Sequence, residues 1–133
     1  SRMSEIDCAT MLIKTNYLDE WQSRRQTIAL YWMERLSTST DIRCLINSSN
    51  AQEHCFHKFV IEVDSRDKLQ RKLQEAGIET KIHYAKTLDT MNVGKYPNAE
   101  KICARALSLP IYPHLKMSEI DYVCDKIKEF IHV

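Results

Sequence analysis

A histidine and a tyrosine stand side by side at the end of residues 78–84, which read IETKIHY. Apolar and polar residues alternate along this stretch. That pattern is typical of a strand with Ile78 and Tyr84 on one face and His83 on the other. A neutral or charged imidazole there can bind an anionic or hydroxyl-rich ligand. His83 and Tyr84 are therefore the candidate ligand-binding residues, and the alternative is an ordinary surface histidine.

A third polar side chain, that of Tyr112, lies within residues 107–113, which read LSLPIYP. This proline-bracketed stretch predicts a short strand over 107–111, with Tyr112 emerging just after it. Beside a strand at 78–84, Tyr112 would lie near His83 and Tyr84 at one edge of a small sheet. Such an edge is a place where a ligand can meet several side chains.

Two further groups of residues could bind metal or form a covalent bond. His54, Cys55 and His57 form a His-Cys-x-His cluster with Cys44 upstream, but the spacing matches no standard zinc finger or ribbon. We therefore predict no metal site and interpret the cluster as structural. Four lysines could form a Schiff base if they were desolvated: Lys58, Lys81, Lys86 and Lys95. Because they have polar neighbours and no surrounding motif, we interpret them as ordinary solvated side chains and predict no catalytic residue in this chain.

Aromatic residues alternate with arginines in the N-terminal region, as they can in a nucleic-acid-binding helix. Trp21, Tyr31 and Trp32 lie at helical spacing, however, and this favours a core stripe beside a charged outer face. The formal net charge of +1 gives no general attraction to nucleic acid or to an anionic membrane. We therefore predict no nucleic-acid partner.

The composition predicts one globular unit in a reducing compartment. The 133 residues are 44% hydrophobic, which is enough for a core. No apolar run approaches the ~18 residues of a membrane span, and no signal-peptide pattern begins the sequence. The five cysteines are an odd number with no CxxC pair, so we expect reduced thiols and a cytoplasmic location. With only two glycines, the sequence has no glycine-rich phosphate loop.

The N-terminal third predicts a long or kinked helix. Ser4 to Asp7 form a capping signature, and apolar residues then recur at helical spacing to about Leu36. Thr15 and Asn16 are the weakest helix formers in this run, so we place a break there.

The remaining residues alternate between strands and helices. The pattern predicts strands over 55–63, 78–84 and 107–111, with a further short extended piece at 42–46. It predicts helices over 66–76, 98–106 and 118–130, with Gly77 ending the first and an irregular loop over 85–96. The predicted fold class is α+β, with a small three-stranded, mainly antiparallel sheet covered by helices on one face.

Four short motifs are individually weak signals, but their combination and their order along the chain are specific. They are SRMSEID (1–7), LDEW with the following Arg24-Arg25, HKFVI (57–61) with the later Gly77-Ile78 and His83-Tyr84, and AEK (99–101) with LSLPIYP. Together they resemble the C-terminal small domain of the sugar aminotransferases of the DegT/DnrJ/EryC1/StrS group, over nearly the whole chain.

The resemblance implies a fold-type-I enzyme that uses pyridoxal phosphate to aminate nucleotide-linked keto sugars. Glutamate is the implied amino donor, and a homodimer with sites at the subunit interface is the implied assembly. The lysine that holds the cofactor belongs to a large domain that this sequence does not contain. The resemblance assigns His83 and Tyr84 to the substrate, Arg2 to the cofactor and His57 to a structural role.

The expected organisation is a helical segment, residues 1–36, linking to the large domain, followed by the small domain, residues 37–133. We expect such a fragment to bind no cofactor and to be inactive alone. Two alternatives remain open at this point. One is a stand-alone ferredoxin-like domain that binds a small ligand or regulates, and the other is a protein-interaction module built on the helix that carries Trp21 and Trp32.

Overall fold

Five α-helices and three short strands make up the part of the chain that the computed structural model describes, residues 2–87 and 96–131. In chain order the elements are α1 (Glu5–Thr15), α2 (Leu18–Leu36), β1 (Ile42–Cys44), a 3-10 helix (Ser48–Glu53), β2 (Phe59–Val63), α3 (Arg66–Glu75), α4 (Pro97–Arg105), β3 (Ala106–Leu109) and α5 (Met117–Ile131). This confirms the α+β class. Most of the loop predicted over 85–96 lies outside the described residues.

The N-terminal helical region is broken where the sequence is weakest. The α1 helix ends at Thr15 and α2 begins at Leu18. The capping signature also forms as predicted, because the Ser4 hydroxyl oxygen accepts a hydrogen bond from the Asp7 N–H at 3.2 Å. No residue of α1 is buried, whereas α2 buries Ile28 and Trp32. The second half of α2 is thus part of the core.

The sheet has the order β1-β2-β3, and both strand pairs are antiparallel. In β2, Phe59, Ile61 and Val63 are buried on the face that packs against the helices. Trp32 of α2 stacks on Phe59 with ring centroids 5.8 Å apart. Glu62 points to the opposite face, toward α4. The buried apolar residues of α2, α3 and α5 join those of the sheet in one core.

The strand predicted over residues 78–84 is wrong, and the third strand is instead β1. Only one isolated bridge joins this segment to the sheet, between Lys81 and Ser108. The edge of β3 explains this. Only every second residue of a strand directs its backbone N–H and C=O groups toward a given edge, so the groups available here belong to Ala106, Ser108 and Pro110. Ser108 offers both backbone groups, but the Ala106 carbonyl accepts from the Arg66 side chain, and Pro110 has no N–H. A longer ladder is therefore not available there.

The corrected topology also bears on the ferredoxin-like alternative. A ferredoxin-like domain has the order β-α-β-β-α-β, with four strands in its sheet. Among residues 2–87 and 96–131 the strands number three, and β1 connects to β2 without an intervening α-helix. The described fold is therefore not ferredoxin-like.

Gly77 ends α3 as predicted. Its φ is +77°, in the left-handed region that glycine adopts without penalty. The Ile78 N–H donates to the Leu73 carbonyl at 2.8 Å, and the Gly77 N–H donates to the Gln74 carbonyl at 3.0 Å. This Schellman-type ending satisfies the last carbonyls of the helix and turns the chain toward β3.

The last helix begins one residue before the predicted start at Ser118. The backbone N–H of Lys116 donates to the Glu119 carboxylate at 2.8 Å, the reach-back half of a capping box. Met117 is consequently the first helical residue. Of the helices described, none combines the length and apolarity needed to cross a lipid bilayer.

Candidate functional site

A cleft of about 660 Å³ lies between the chain that follows α3, the end of β3 and the start of α5. Its volume falls within the range of small-molecule sites. The turn at Gly77 directs residues 78–83 along one wall, and Pro110 to Tyr112 form another. The polar residues that line it include His57, Lys58, Lys81, His83, Ser108 and Tyr112, together with the carboxylates of Glu79 and Glu119.

His83 lies at this cleft and is held by β3. The Lys81–Ser108 bridge fixes the register through two backbone hydrogen bonds, of 3.1 and 2.9 Å. Two residues further on, His83 Nδ1 forms a hydrogen bond of 2.9 Å with the Ser108 hydroxyl. His83 itself is exposed, while Ser108 is buried. The structure therefore places the predicted histidine at a wall of the cleft.

The surroundings of His83 favour its neutral form. Partial desolvation lowers the pKa of this imidazole below its usual value, and the positive fields of Lys58, Lys81 and His57 lower it further. Among residues 2–87 and 96–131, no carboxylate contributes to the shift. A Ser–His nucleophile needs a third group that orients and stabilises the imidazolium, so the Ser108–His83 pair is not a hydrolytic triad.

His57, Lys58, Lys81 and His83 form a group that we call the basic cluster. All four line the same cleft. Among the described residues, neither Lys58 nor Lys81 forms an ion pair with a carboxylate. The Lys58 ammonium instead lies 5.2 Å from the centroid of the Tyr84 ring, a cation–π contact. Sequence reasoning treated both lysines as ordinary solvated side chains.

The cluster was missed because its members are distant in sequence. Lys58 precedes β2, while Lys81 belongs to the segment that pairs with β3. Only the register of the Lys81–Ser108 bridge brings them together around His83. No local spacing signals such a contact. The Ser108 hydroxyl was missed for the same reason.

Tyr84 and Arg2 are not among the residues that line the main cleft. The side chain of Tyr84 is 72% exposed and borders an adjoining cavity of about 170 Å³, which shares Lys58, Lys81 and His83 with the cleft. Tyr112, the third predicted polar tip, does line the main cleft. Arg2 is exposed ahead of α1 and is not among the residues that line the cleft. The substrate role of Tyr84 and the cofactor role of Arg2 remain predictions.

The described residues do not by themselves form a site that fits pyridoxal phosphate. The cofactor requires a lysine in a desolvated pocket and an acidic or basic partner at its ring nitrogen. Lys81 is exposed, and the half-buried Lys58 packs on Tyr84. Of the carboxylates at the cleft, Glu79 is exposed and Glu119 accepts a backbone hydrogen bond.

Two further residues that the sequence singled out, His54 and Trp32, have structural roles, whereas His57 lines the cleft. His54 Nδ1 accepts a hydrogen bond of 2.9 Å from the Phe56 N–H, and its ring packs against Phe56. Within the described ranges, no three His, Cys, Asp or Glu side chains gather closely enough to hold a metal. Trp32 is fully buried, so it belongs to the core and not to an interaction surface, while Trp21 is half-buried and stacks on Tyr17.

Comparison with known proteins gives consistent matches along the chain. The model of the DegT/DnrJ/EryC1/StrS aminotransferase family matches residues 1–128. The erythromycin biosynthesis sensory transduction protein EryC1 of Saccharopolyspora erythraea is 32% identical, over 96% of this chain and 37% of that protein. The dTDP-3-amino-3,6-dideoxy-alpha-D-galactopyranose transaminase of Aneurinibacillus thermoaerophilus is 30% identical, over 98% of this chain and 37% of its own length.

Solved structures agree with this. Streptomyces venezuelae DesV, determined in complex with a ketimine intermediate, superposes with a TM-score of 0.88 at 26% identity. The match covers 99% of this chain and 38% of DesV. The chain thus spans somewhat over a third of the length of the relatives that it matches. Since the family model extends over nearly all of its residues, the chain belongs to the DegT/DnrJ/EryC1/StrS aminotransferase family.

Proposed function

We propose that this chain supplies the small domain of a pyridoxal-phosphate-dependent aminotransferase that acts on nucleotide-linked keto sugars. One observation carries the proposal. The family model matches residues 1–128, while the chain spans only 37% of the A. thermoaerophilus transaminase. The name of that relative specifies an amino sugar linked to dTDP. Glutamate as amino donor and a homodimeric assembly complete the proposal.

In this proposal the chain binds and orients the substrate. His83 would meet it at the cleft, with Tyr84 beside it, and Arg2 would approach the cofactor. When bound by the large domain, pyridoxal phosphate would supply the electron sink for amino transfer. The contribution of this chain is a shaped wall and an imidazole kept neutral at pH 7 by its surroundings.

The exposed apolar side chains of α1 support the proposal that a further domain covers this helix. Ile6 is 80% exposed and Leu12 is 73% exposed, and no residue of α1 is buried. Apolar side chains along one helix usually face a partner surface. We propose that residues 1–36 carry the connection to a large domain and that residues 37–133 form the small domain, with the end of α2 inserted in its core.

A hybrid protein tests the proposal. Residues 1–133 would replace the matching third of the A. thermoaerophilus transaminase, and glutamate-dependent amination of its dTDP-linked keto sugar would be measured. We expect an active hybrid. A hybrid that folds and binds pyridoxal phosphate in its large domain, but fails to bind the nucleotide sugar, would contradict the proposal. The parent transaminase, prepared in the same way, is the control.

The chain alone gives a complementary test. We expect no lysine to be modified when the 133-residue chain is mixed with pyridoxal phosphate and reduced with borohydride. Intact-mass and peptide mass spectrometry would detect the adduct. A stoichiometric adduct on one lysine would show that this chain holds the cofactor itself, against the proposal. The complete A. thermoaerophilus transaminase is the positive control.

A further inference from the structure

The lysines of the basic cluster have no carboxylate in direct contact among the described residues, although Glu79 and Glu119 line the same cleft. Lys58 and Lys81 are close enough to His83 for both ammonium groups to lower the pKa of its imidazole. Neither lysine forms an ion pair among residues 2–87 and 96–131, although six such pairs occur there. Grouping like charges without a counterion is unfavourable, so an anionic partner at this place would stabilise them.

The cluster also has the form of a binding site. Its four residues line one cleft, so an anion could contact them together. The wall beneath them is ordered by the Lys81–Ser108 bridge and by the hydrogen bond between His83 and Ser108. Lys58 is already partly desolvated on the ring of Tyr84. These features distinguish the cluster from dispersed surface lysines, which are solvated separately.

From this geometry we propose that the basic cluster binds the diphosphate group of the substrate, an inference that rests on the proposed function for the source of that diphosphate. The diphosphate of a nucleotide sugar carries two negative charges, and Lys58 and Lys81 supply two positive ones. In this proposal His83 Nδ1 accepts a hydrogen bond from the Ser108 hydroxyl, so the ring carries its proton on Nε2. The neutral imidazole thus donates a hydrogen bond to a phosphate oxygen.

The proposal makes Lys58 and Lys81 determinants of substrate binding at the cleft. The sugar then extends from the diphosphate toward the large domain, which supplies the reacting groups. Because the lysines act as point charges, binding depends on ionic strength and on the phosphate charge more than on the identity of the base.

The full 133-residue chain can be titrated by NMR with inorganic pyrophosphate, with dTDP-glucose and with thymidine. We expect pyrophosphate and dTDP-glucose to shift the His83 ring resonances, while thymidine has no effect. The double variant Lys58→Gln/Lys81→Gln should bind both phosphate compounds about 10-fold more weakly, a loss consistent with two partly exposed charge-assisted contacts. Lys14→Gln/Lys68→Gln removes the same charge elsewhere and should bind as the unmodified chain does. Circular dichroism shows whether each variant is folded.

The outcomes separate the two proposals. Binding of dTDP-glucose that survives Lys58→Gln/Lys81→Gln would overturn the diphosphate site and leave the proposed function intact. Lysine-dependent binding of pyrophosphate without binding of dTDP-glucose would support the anion site and count against the nucleotide-sugar function. Equal weakening by the control pair, or no binding of either phosphate compound, would overturn the inference.

Discussion

At the scale of single residues, Glu62 depends chiefly on Arg43, while Arg105 and Lys101 make smaller favourable contributions. The Glu62 side chain is only 4% exposed, and Arg43 donates two hydrogen bonds to it, at 3.0 and 2.8 Å. The Arg43 guanidinium holds the pKa of the Glu62 carboxyl below its usual range, first through these hydrogen bonds, although burial opposes the effect. Such a bidentate pair is geometrically specific, but Arg43 itself is mostly exposed, so its contribution is reduced by solvent.

Removing Arg43 should therefore destabilise the fold in a pH-dependent way. We expect Arg43→Gln to lower the free energy of unfolding at pH 7, because the buried Glu62 carboxylate loses its two hydrogen bonds from Arg43. The native pKa of Glu62 is depressed, so the pair stabilises the fold above the unfolded pKa of about 4.3, and this is lost as pH falls through the native value. Urea denaturation between about pH 3 and 7, a range that spans the unfolded pKa of about 4.3, would measure how the free energy of unfolding changes with pH.

The double variant Arg43→Gln/Glu62→Gln is the control for this prediction. With both charges gone, no buried carboxylate is left without a partner, so the double variant should be more stable at neutral pH than Arg43→Gln alone. An Arg43→Gln protein as stable as the unmodified chain would contradict the assigned role of the pair.

The His83 imidazole gives a second prediction at this scale. Its titration midpoint should lie below the usual value of about 6.5, so the ring is neutral at pH 7. Since the unfolded chain takes up a proton first, stability should fall as pH drops from about 6.5 to the native pKa and then level off. Lys58→Gln should raise the midpoint only part of the way, because desolvation is the larger cause. NMR of the ring protons measures this, and Lys68→Gln should leave it unchanged.

At the scale of elements, the end of α3 determines where the cleft wall begins. Gly77 has a φ of +77°, and no heavy atom beyond Gly77 and its two chain neighbours lies within 4 Å of the position that a β-carbon would occupy. The penalty for alanine is therefore one of backbone conformation and not of steric overlap. We expect Gly77→Ala to destabilise the chain by about 1 kcal/mol and Gly77→Asn by less, because asparagine tolerates the left-handed region better.

Chemical denaturation of both Gly77 variants would check this order. If alanine and asparagine were equally tolerated, the left-handed turn would not be needed to end the helix. Gln74→Ala is a matched control, since it lies in the last turn of the same helix with an ordinary helical backbone.

At the scale of the whole molecule, the first helix carries a dense group of exposed apolar side chains. Ile6 and Leu12 are among its exposed side chains, and none of its residues joins the core. We expect Ile6→Glu/Leu12→Glu to reduce self-association of the isolated chain without changing its thermal unfolding, because no buried contact is lost. Sedimentation velocity over a range of concentrations measures the self-association, and calorimetry measures the thermal unfolding.

Gln52→Glu/Gln74→Glu adds the same negative charge at other exposed positions and serves as the control. It should leave any self-association unchanged. A chain that remains monomeric at high concentration before any substitution would contradict the expectation that α1 is an uncovered interface.

Local signals were enough to predict much of this fold. The helix break near Asn16 and the left-handed Gly77 depend on neighbouring residues, and both predictions are confirmed. The strand predicted over residues 78–84 failed because pairing depends on what the edge of β3 can offer, and Arg66 takes the Ala106 carbonyl there. The basic cluster likewise depends on strand register, which no sequence pattern near Lys58 or Lys81 encodes.

The two edges of the sheet affect how this chain can associate. An unpaired edge strand is a template on which another chain can add a strand, and such growth leads to fibrils. Here β1 is only three residues long and carries Arg43, while beyond β3 the carbonyl of Ala106 is occupied and Pro110 lacks a donor. Unwanted assembly should therefore proceed through helical surfaces, giving soluble oligomers in preference to amyloid-like fibres.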